Sequence, residues 1–542
     1  MSVHLPDLDT LSLRHQVAQM VVVRASGYLF DHQIRYPQWE PPFATLADWL
    51  THWGVGGVIL LGGSATELAL RTQQLQELAS IPLLVAADVE EGVGQRFPGA
   101  TWFPPPLALG AIAQTDLEAA RHFATAMGRV TAQEAQAIGL NWVLAPVTDV
   151  NNNPANPVIN VRAFGETPEI VSALASAFIR GAKEYPVLTV AKHFPGHGDT
   201  AVDSHFDLPT LPHSVERLRQ IELPPFQAAI AAGVDSVMTA HLRIPALDAT
   251  YPATLSDRLL TKELRQRLGF TGLIVTDALI MGAIAKAYGP NEAAVLAVEA
   301  GADILLMPGD PVGAIQAICQ AVETGRIAPD HIRASVERIW QAKQTVCYPP
   351  IIGATSHTWE SLPPTLQPHH LTSQLAQPTA HKSVEVILQR SLRAHVPHPI
   401  AIALGSTGRN LIIIDNALNS KEVGPQAPAI AIPAHHGYHL QVVDENTPAS
   451  CLPSLTPSQP TLLQLFIRGN PFRGRAGLTQ TAQAWFDELL QSHQLQALII
   501  YGSPYVLDAF LPQLPPELPY VFTYGQMPAA QAIALQTLWA DQ

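Results

Sequence analysis

The chain has 542 residues, of which 47% are hydrophobic, so it is long enough for two or three domains with sizeable cores. Its 31 lysines and arginines against 45 aspartates and glutamates give a net charge of −14, which argues against nucleic acid or an anionic membrane as partner. Three widely spaced cysteines, Cys319, Cys347 and Cys451, indicate neither a disulfide framework nor a C-x-x-C metal site.

The start of the sequence, M-S-V-H-L-P-D-L-D-T, lacks a basic segment followed by an apolar run, so we expect no signal peptide. No apolar run approaches the roughly 20 residues that a membrane span requires. A reducing, cytoplasmic location is therefore the expectation.

Short apolar runs alternate with longer amphipathic stretches up to about residue 346. The predicted strands are residues 20–23, 58–61, 83–86, 142–145, 187–191, 236–239, 273–276 and 304–307. Helical patterns between them include residues 66–79, 116–138, 168–183, 215–232, 257–268 and 291–300. Runs that are apolar throughout are typical of parallel strands covered on both faces. The pattern predicts an N-terminal (β/α)8 TIM barrel over residues 1–347.

Residues 348–380 are rich in proline and lack periodicity, which is typical of a linker. The rest of the chain, residues 381–542, predicts a smaller doubly wound α/β domain. Its predicted strands and helices are residues 411–414, 440–443, 462–467, 497–501 and 520–522, and residues 480–491 and 529–539. This domain shows no catalytic constellation, so we expect a packing role; the alternative is that Gly502-Ser503-Pro504 reaches towards the barrel mouth.

Polar side chains follow the predicted barrel strands, which is where catalytic groups of such folds lie. In chain order they are Arg24, Asp88, Asp149, Asn151, Arg162, Lys192, His193, His241 and Asp277. Asp277 in L-I-V-T-D-A-L-I-M-G-A and Lys192 in V-L-T-V-A-K-H-F have apolar surroundings. Charges in such surroundings are costly unless they are paired or used, which favours a functional role.

The loop K-H-F-P-G-H-G-D-T-A-V-D-S-H, residues 192–205, concentrates titratable groups. A metal site would recruit its histidines and aspartates: His193, His197 and His205 with Asp199 or Asp203. Against a metal, the first strand lacks the H-x-H of barrel metallohydrolases and two glycines flank His197. An acid–base site instead uses Asp203 and His205, since residues i and i+2 of an extended segment point to the same side. Taken in isolation, these three residues favour a surface Asp-Ser-His without a role.

The same loop resembles the signature of the glycoside hydrolase family 3 β-N-acetylglucosaminidases of the two-domain type. L-L-V-A-A-D-V-E-E-G-V-G-Q-R-F is similar to the family's D-Q-E-G-G-R-V-Q-R-F. L-A-P-V-T-D-V, the later R-A-F-G, V-M-T-A-H-L-R and G-F-T-G-L-I-V-T-D-A-L are also similar, in the same order. The resemblance covers residues 10–346 and, more loosely, the C-terminal domain.

This resemblance implies a retaining enzyme that works by double displacement through a covalent glycosyl-aspartate and needs no cofactor. Asp277 matches the nucleophile, His205 the general acid/base and Asp203 the partner of His205 in a dyad. The implied substrate-binding residues are Asp88, Arg162, Lys192, His193 and His241. The chain departs from the family pattern at Val89, Glu91 and Val93, and the charge of Glu91 has no counterpart there.

The implied substrate is a terminal β-linked N-acetylglucosamine on muropeptides or chitooligosaccharides, in bacterial peptidoglycan recycling. A β-glucosidase or a phosphate-dependent glycosidase of the same family is an alternative. A metal-dependent barrel hydrolase and a catalytically silent sugar-binding protein are alternatives from other classes. A chelator, added phosphate and a chromogenic glycoside would separate these. Nothing in the sequence indicates an oligomeric state.

Overall fold

The computed structural model describes residues 5–200, 208–347, 368–402, 407–418, 420, 422–447, 459–469 and 480–539. Within these ranges it contains one sheet of eight strands and one of six. No helix in the described part of the chain has the length and apolarity that crossing a membrane requires.

The first sheet is a parallel barrel. Its strands are β1 Val21–Ser26, β2 Gly57–Leu61, β3 Leu84–Ala87, β4 Trp142–Val143, β5 Leu188–Phe194, β6 Ser236–Thr239, β7 Leu273–Val275 and β8 Leu305–Leu306. Neighbours in the sequence are neighbours in the sheet, β8 pairs with β1, and a bridge between Val275 and Ile304 closes the ring. Every observed strand overlaps its predicted run, so the predicted (β/α)8 barrel is confirmed.

Helices surround this barrel. They are α1 Leu13–Gln19, α2 Phe43–Asp48, α3 Ala65–Leu78, α4 Leu107–Ala113, α5 Leu117–Ala137, α6 Pro168–Ala182, α7 Val215–Gln220, α8 Pro224–Ala231, α9 Gly282–Tyr288, α10 Pro290–Ala300, α11 Pro311–Glu323 and α12 Pro329–Val346. The continuous helix predicted over 215–232 is wrong, because Pro224 and Pro225 lack the amide hydrogens that would continue α7. The predicted helix 257–268 is a π-helical segment, Arg258–Arg267.

The second sheet has the order β11-β10-β12-β13-β14-β9. Its strands are β9 Arg393–His395, β10 Gly408–Ile414, β11 Tyr438–Val443, β12 Thr461–Ile467, β13 Leu495–Gly502 and β14 Tyr520–Thr523. The helices of this part are α13 Pro368–Gln374, α14 Pro378–Ser391, α15 Pro428–His435, α16 Gln480–Gln491, α17 Pro504–Phe510 and α18 Pro528–Leu538. The predicted C-terminal α/β domain is confirmed, with one addition: β9 is an antiparallel edge strand.

The two faces of this second sheet belong to different cores. Leu411 and Ile413 join the hydrophobic cluster that runs on from the barrel, whereas Ile412 and Ile414 join a separate cluster of the C-terminal domain. Alternate residues of a strand point to opposite faces, so the sheet separates the two cores. The boundaries 1–347, 348–380 and 381–542 stay predictions; α13 lies within the stretch predicted as linker. Cys319 and Cys347 are free thiols, while Cys451 lies outside the described residues.

Candidate active site

The carboxyl ends of the barrel strands bring the predicted substrate-binding residues to one mouth. Each residue is placed by the strand before it or by the strand that contains it. Asp88 directly follows β3, Arg162 ends a short turn after β4, Lys192 and His193 belong to the end of β5, His241 follows β6 and Asp277 follows β7. Polar groups at the ends of five consecutive strands therefore lie at the same end of the barrel.

Lys192 is the centre of a charged network in this mouth. Its side chain is only 1% exposed, and its Nζ lies 2.8 Å from Asp88 Oδ1 and 2.6 Å from Glu90 Oε1. Arg162 donates from Nε and Nη2 to the two oxygens of Glu90, both at 2.8 Å. Two cations and two carboxylates thus alternate, and the Asp88 side chain remains 37% exposed towards the opening.

Mutual attraction keeps this network ionised despite its burial. Burial would raise the pKa of the Glu90 carboxyl, yet Arg162 and Lys192 together hold that pKa well below its usual range. Burial would likewise lower the pKa of Lys192, but Asp88 and Glu90 raise it. Fixed, charged donors and acceptors are well suited to hold the hydroxyls of a sugar by charge-assisted hydrogen bonds.

Asp149, near the start of the loop after β4, organises the start of the β5 loop. Its Oδ2 lies 2.8 Å from His193 Nδ1, and its Oδ1 accepts the backbone N–H of His197 at 2.7 Å. Burial would raise the pKa of Asp149, but His193 and His197 outweigh it and lower that pKa. The carboxylate fixes the orientation of His193, leaving Nε2 of that ring as the atom remote from Asp149.

Asp277 lies two residues beyond β7 with a half-buried side chain, and its Oδ1 accepts the backbone N–H of Ala278 at 2.7 Å. Burial lowers the pKa of His197 to about 4, and the nearby carboxylates of Asp149 and Asp277 partly oppose this shift. Asp277 therefore contributes to the electrostatic environment of His197. His241 is buried, with Nδ1 2.8 Å from Thr254 Oγ1 and Nε2 3.1 Å from the carbonyl oxygen of Ala278.

A carbonyl oxygen can only accept, so His241 Nε2 carries the hydrogen and holds the backbone beside Asp277. The prediction that His241 binds sugar stays untested, and this contact gives it a supporting position behind Asp277.

Asp203 and His205, the predicted dyad, lie outside the described residues. The part of their loop that is described is tightly held, because Asn156 Nδ2 donates to the carbonyl oxygens of His197 and Gly198 at 2.8 and 2.9 Å. A Cβ on Gly198 would lie 1.7 Å from the carbonyl oxygen of Val150. This glycine therefore permits a close backbone approach at the root of the loop.

Three residues of the alternative metal site lie within the described ranges and have other partners, whereas Asp203 and His205 lie outside these ranges. His193 contacts Asp149, His197 Nδ1 lies 2.9 Å from Thr200 Oγ1, and Asp199 Oδ2 lies 2.8 Å from His213 Nε2. In the described ranges, no group of three or more histidine, cysteine or acidic side chains is arranged to hold a metal ion.

Sequence reasoning missed Glu90, which bridges Arg162 and Lys192, and noted Asp149 after the fourth strand without giving it a role. Both were detectable by the signal that selected Asp277, a carboxylate close to the end of an apolar strand. The charge of Glu91 also has an explanation. Its fully buried carboxylate accepts the Trp102 indole N–H at 2.9 Å and pairs with Arg468 of the C-terminal domain.

The C-terminal domain reaches the barrel mouth at a second place. Ser503 Oγ donates to Asn160 Oδ1 at 3.0 Å, in the loop after β4. Tyr505 Oη accepts from Asn151 Nδ2 at 2.7 Å and donates to Glu166 Oε1 at 2.5 Å. The segment Gly502-Ser503-Pro504 therefore reaches towards the barrel mouth, as the alternative prediction expected.

Family models match both parts of the chain. Residues 12–342 match the glycosyl hydrolase family 3 N-terminal domain, and residues 402–540 match the bacterial glycosyl hydrolase family 3 C-terminal domain.

Among individual proteins, beta-hexosaminidase A of Pseudoalteromonas piscicida is 35% identical over 331 residues, which are 55% of this chain and 54% of that protein. The match thus spans about half the length of that relative. A beta-hexosaminidase of Nitrosospira multiformis is 38% identical over 269 residues, or 49% of this chain and 76% of that protein. A solved structure of a glycoside hydrolase family 3 beta-N-acetylglucosaminidase from Paenibacillus sp. covers 98% of this chain and 97% of its own, with a TM-score of 0.78 and 29% identity.

Proposed function

The chain belongs to glycoside hydrolase family 3, and we propose that it is a retaining β-N-acetylglucosaminidase acting on terminal β-linked N-acetylglucosamine. The observation that carries this proposal is the position of Asp277, which follows β7 at the carboxyl end of the barrel, the end that also holds the Lys192 network. The relatives named beta-hexosaminidase support the choice of sugar.

In the proposed mechanism, a carboxylate oxygen of Asp277 attacks the anomeric carbon while His205 donates a proton to the departing glycosidic oxygen. The C1–O bond to the leaving group breaks and a glycosyl ester of Asp277 forms. His205, now neutral, takes a proton from water, which attacks C1 and expels Asp277 with net retention of configuration. Asp203 orients His205 in this scheme.

The charged network has the role of holding the ring while C1 reacts. Asp88 is the member with the most exposed side chain, so we assign it a direct hydrogen bond to a sugar hydroxyl, with Lys192 and Arg162 beside it. Because Glu90 balances Arg162 and Lys192, these side chains remain fixed before the sugar arrives, which lowers the entropic cost of positioning it.

The proposed setting is the bacterial cytoplasm, where muropeptides from peptidoglycan turnover, or chitooligosaccharides, would supply the terminal sugar. This part of the proposal draws on the family resemblance. Incubating the purified protein with muropeptides and with chitooligosaccharides, and identifying the released sugar, tests it directly.

The nucleophile is tested with 4-nitrophenyl N-acetyl-β-glucosaminide. We expect Asp277→Ala to lower kcat by about 1,000-fold or more, because no group replaces the attacking carboxylate. Added azide should restore turnover of this variant and give the α-glycosyl azide, since azide fits the space of the lost carboxylate. Asp257→Ala, which removes an exposed partner of Lys262, is the matched control and should retain activity.

Full activity of Asp277→Ala would exclude Asp277 as the nucleophile. Repeating the wild-type assay with and without phosphate separates hydrolysis from phosphorolysis, because a phosphorylase releases a sugar 1-phosphate. A wild-type protein that binds the glycoside and releases no nitrophenol would contradict the proposed enzyme.

A further inference from the structure

Two loops of the barrel that carry the charged network are attached to the C-terminal domain. The loop after β3 contains Asp88, Glu90 and Glu91, and the loop after β4 contains Arg162. Each loop receives a side chain from a turn at the carboxyl edge of the second sheet: Arg468 after β12, and Ser503 and Tyr505 after β13.

The first attachment is an ion pair across the domain boundary. The Glu91 side chain is fully buried, and Arg468 Nη1 donates to its Oε2 at 3.0 Å while Nη2 contacts its Oε1. Trp102 shares Oε2 of the same carboxylate. A buried carboxylate without its cation is strongly unfavourable, so Arg468 determines where the Glu91 side chain can lie.

The backbone transmits this constraint to the neighbouring residue. Glu91 is adjacent to Glu90, and its carbonyl oxygen accepts the Phe103 N–H at 2.8 Å. Gly92 follows with φ of +85° in a position where a Cβ would lie 2.7 Å from the carbonyl oxygen of Thr101. The segment has little space to shift, so fixing Glu91 also fixes Glu90.

The second attachment acts on the other partner of Glu90. Asn160, which accepts from Ser503, begins the short turn that ends at Arg162. Asn151 donates to Tyr505 Oη and also accepts the backbone N–H of Asn160 at 2.9 Å through its Oδ1. Burial, and then the neighbouring Glu166, raise the pKa of Tyr505, so its hydroxyl remains a donor.

We propose that the C-terminal domain positions the sugar-binding network of the barrel through Arg468, Ser503 and Tyr505. The domain holds both ends of the Glu90–Arg162 ion pair, and thereby Lys192 and Asp88. These three are positioning residues, because each acts through a barrel residue. This inference rests on the proposed glycosidase function, and it adds a role for the second domain in the same reaction.

The test separates positioning from stability. Arg468→Met alone leaves Glu91 buried without a cation, so its loss of activity would be ambiguous. The double variant Glu91→Gln with Arg468→Met removes both charges, and replacing both members of a buried pair is far less costly than replacing one. We expect the double variant to regain most of the melting temperature lost by Arg468→Met. With 4-nitrophenyl N-acetyl-β-glucosaminide its kcat/KM should stay about 10-fold or more below wild type, because the connection to the loop is missing.

Two controls make the outcome specific. Arg390→Met removes another ion pair between the domains, in which Arg390 Nη2 lies 2.9 Å from Asp116 Oδ2. This ion pair is half-exposed and lies on the helical side of the barrel. The variant should leave kcat/KM within about twofold of wild type, as expected for a surface ion pair. Tyr505→Phe should lower kcat/KM, whereas Tyr438→Phe, which loses a hydrogen bond to Gln496 inside the C-terminal domain, should not.

The pH profile of kcat should keep its shape in all of these variants, because none of them replaces an acid or base of the reaction. If the double variant recovers both melting temperature and kcat/KM, or if Arg390→Met lowers kcat/KM equally, the inference is overturned. A wild-type protein without glycosidase activity would instead overturn the proposed function.

Discussion

Glu90 shows at the level of one residue how the two buried cations of the mouth are balanced. It receives two hydrogen bonds from Arg162 and lies 2.6 Å from the buried ammonium of Lys192. Removing this carboxylate would leave two cations side by side, with Asp88 as the remaining partner of Lys192. Glu90 is therefore as important for the charge balance of the mouth as the residues that we expect to touch the sugar.

Glu90→Gln should lower the free energy of unfolding by about 3 kcal/mol, the usual cost of breaking a buried ion pair by removing one member. Urea unfolding at pH 7 measures this change. Glu299→Gln is the matched control, because its partner Arg326 is half-exposed and also pairs with Glu292. The control should change stability by less than about 1 kcal/mol. Equal effects of the two substitutions would contradict the importance assigned to Glu90.

His197 predicts an acid-dependent loss of stability. Burial lowers its pKa from 6.5 to about 4 in the folded protein, so between these values the unfolded chain binds the extra proton. The stabilisation is complete above about pH 6.5 and falls by about 3 kcal/mol as the pH decreases to about 4. Urea unfolding across this range should show a shallower pH dependence for His197→Asn than for wild type. Identical slopes would show that His197 is not the group responsible.

Sequence reasoning selected two residues because a charge is embedded in an apolar run. Asp277 and Lys192 have such surroundings, and both lie at the mouth. Glu90 was not selected from the sequence, because two adjacent glutamates are typical of a solvated surface. The two carboxylates have entirely different partners, and only the three-dimensional arrangement separates them.

At the level of elements, the loops are fixed at their roots by close backbone contacts. Gly198 lies in the β5 loop against Val150, at the point where the loop after β4 leaves the mouth. A side chain at this position would separate the two loops, which carry His193 and Arg162. Stability and activity should therefore respond together to a substitution here.

Gly198→Ala should lower the free energy of unfolding by about 3 kcal/mol, because its Cβ would clash with the backbone carbonyl oxygen of Val150. The change is measured by urea unfolding, with glycosidase activity as a second readout. Gly424→Ala is the control, since no atom lies within 4 Å of the Cβ position there and its φ is not positive. We expect that control within about 1 kcal/mol of wild type. A neutral Gly198→Ala would show that the two loops can separate without cost.

Elements were predictable where burial dominated the sequence pattern. The barrel strands are largely apolar because helices cover one face and the barrel core the other, so each was visible as a run. Strand β9 was missed because Arg393–His395 is polar and largely exposed, and it is a strand only by pairing with β14. Contacts with partners distant in the sequence cannot be deduced from local periodicity.

On the scale of the whole molecule, the two domains share a hydrophobic core. The cluster that contains Val22 and Trp142 of the barrel also contains Leu463 and Trp485 of the C-terminal domain. Sequence reasoning located both domains but not this continuity, since Arg468 and Glu91 are 377 residues apart. The predicted packing role of the second domain is compatible with this core.

Because of this shared core, we expect the domains to unfold together in one thermal transition. Calorimetry should give a van't Hoff enthalpy close to the calorimetric enthalpy, and tryptophan fluorescence should change at the same temperature as far-UV circular dichroism. Arg390→Met should leave this coincidence intact, because its ion pair lies on the surface. Two resolved transitions would show that the domains are energetically independent.

The strand order of the second sheet has a consequence for biosynthesis. Its first strand in the sequence, β9, pairs with its last, β14, and the 124 residues 396–519 lie between Arg393–His395 and Tyr520–Thr523. This edge of the sheet can therefore form only after β14 has been translated. Until then the barrel is already translated while this edge of the second sheet is incomplete. Arg468 and Tyr505, which contact the loops of the barrel mouth, are also translated after the barrel.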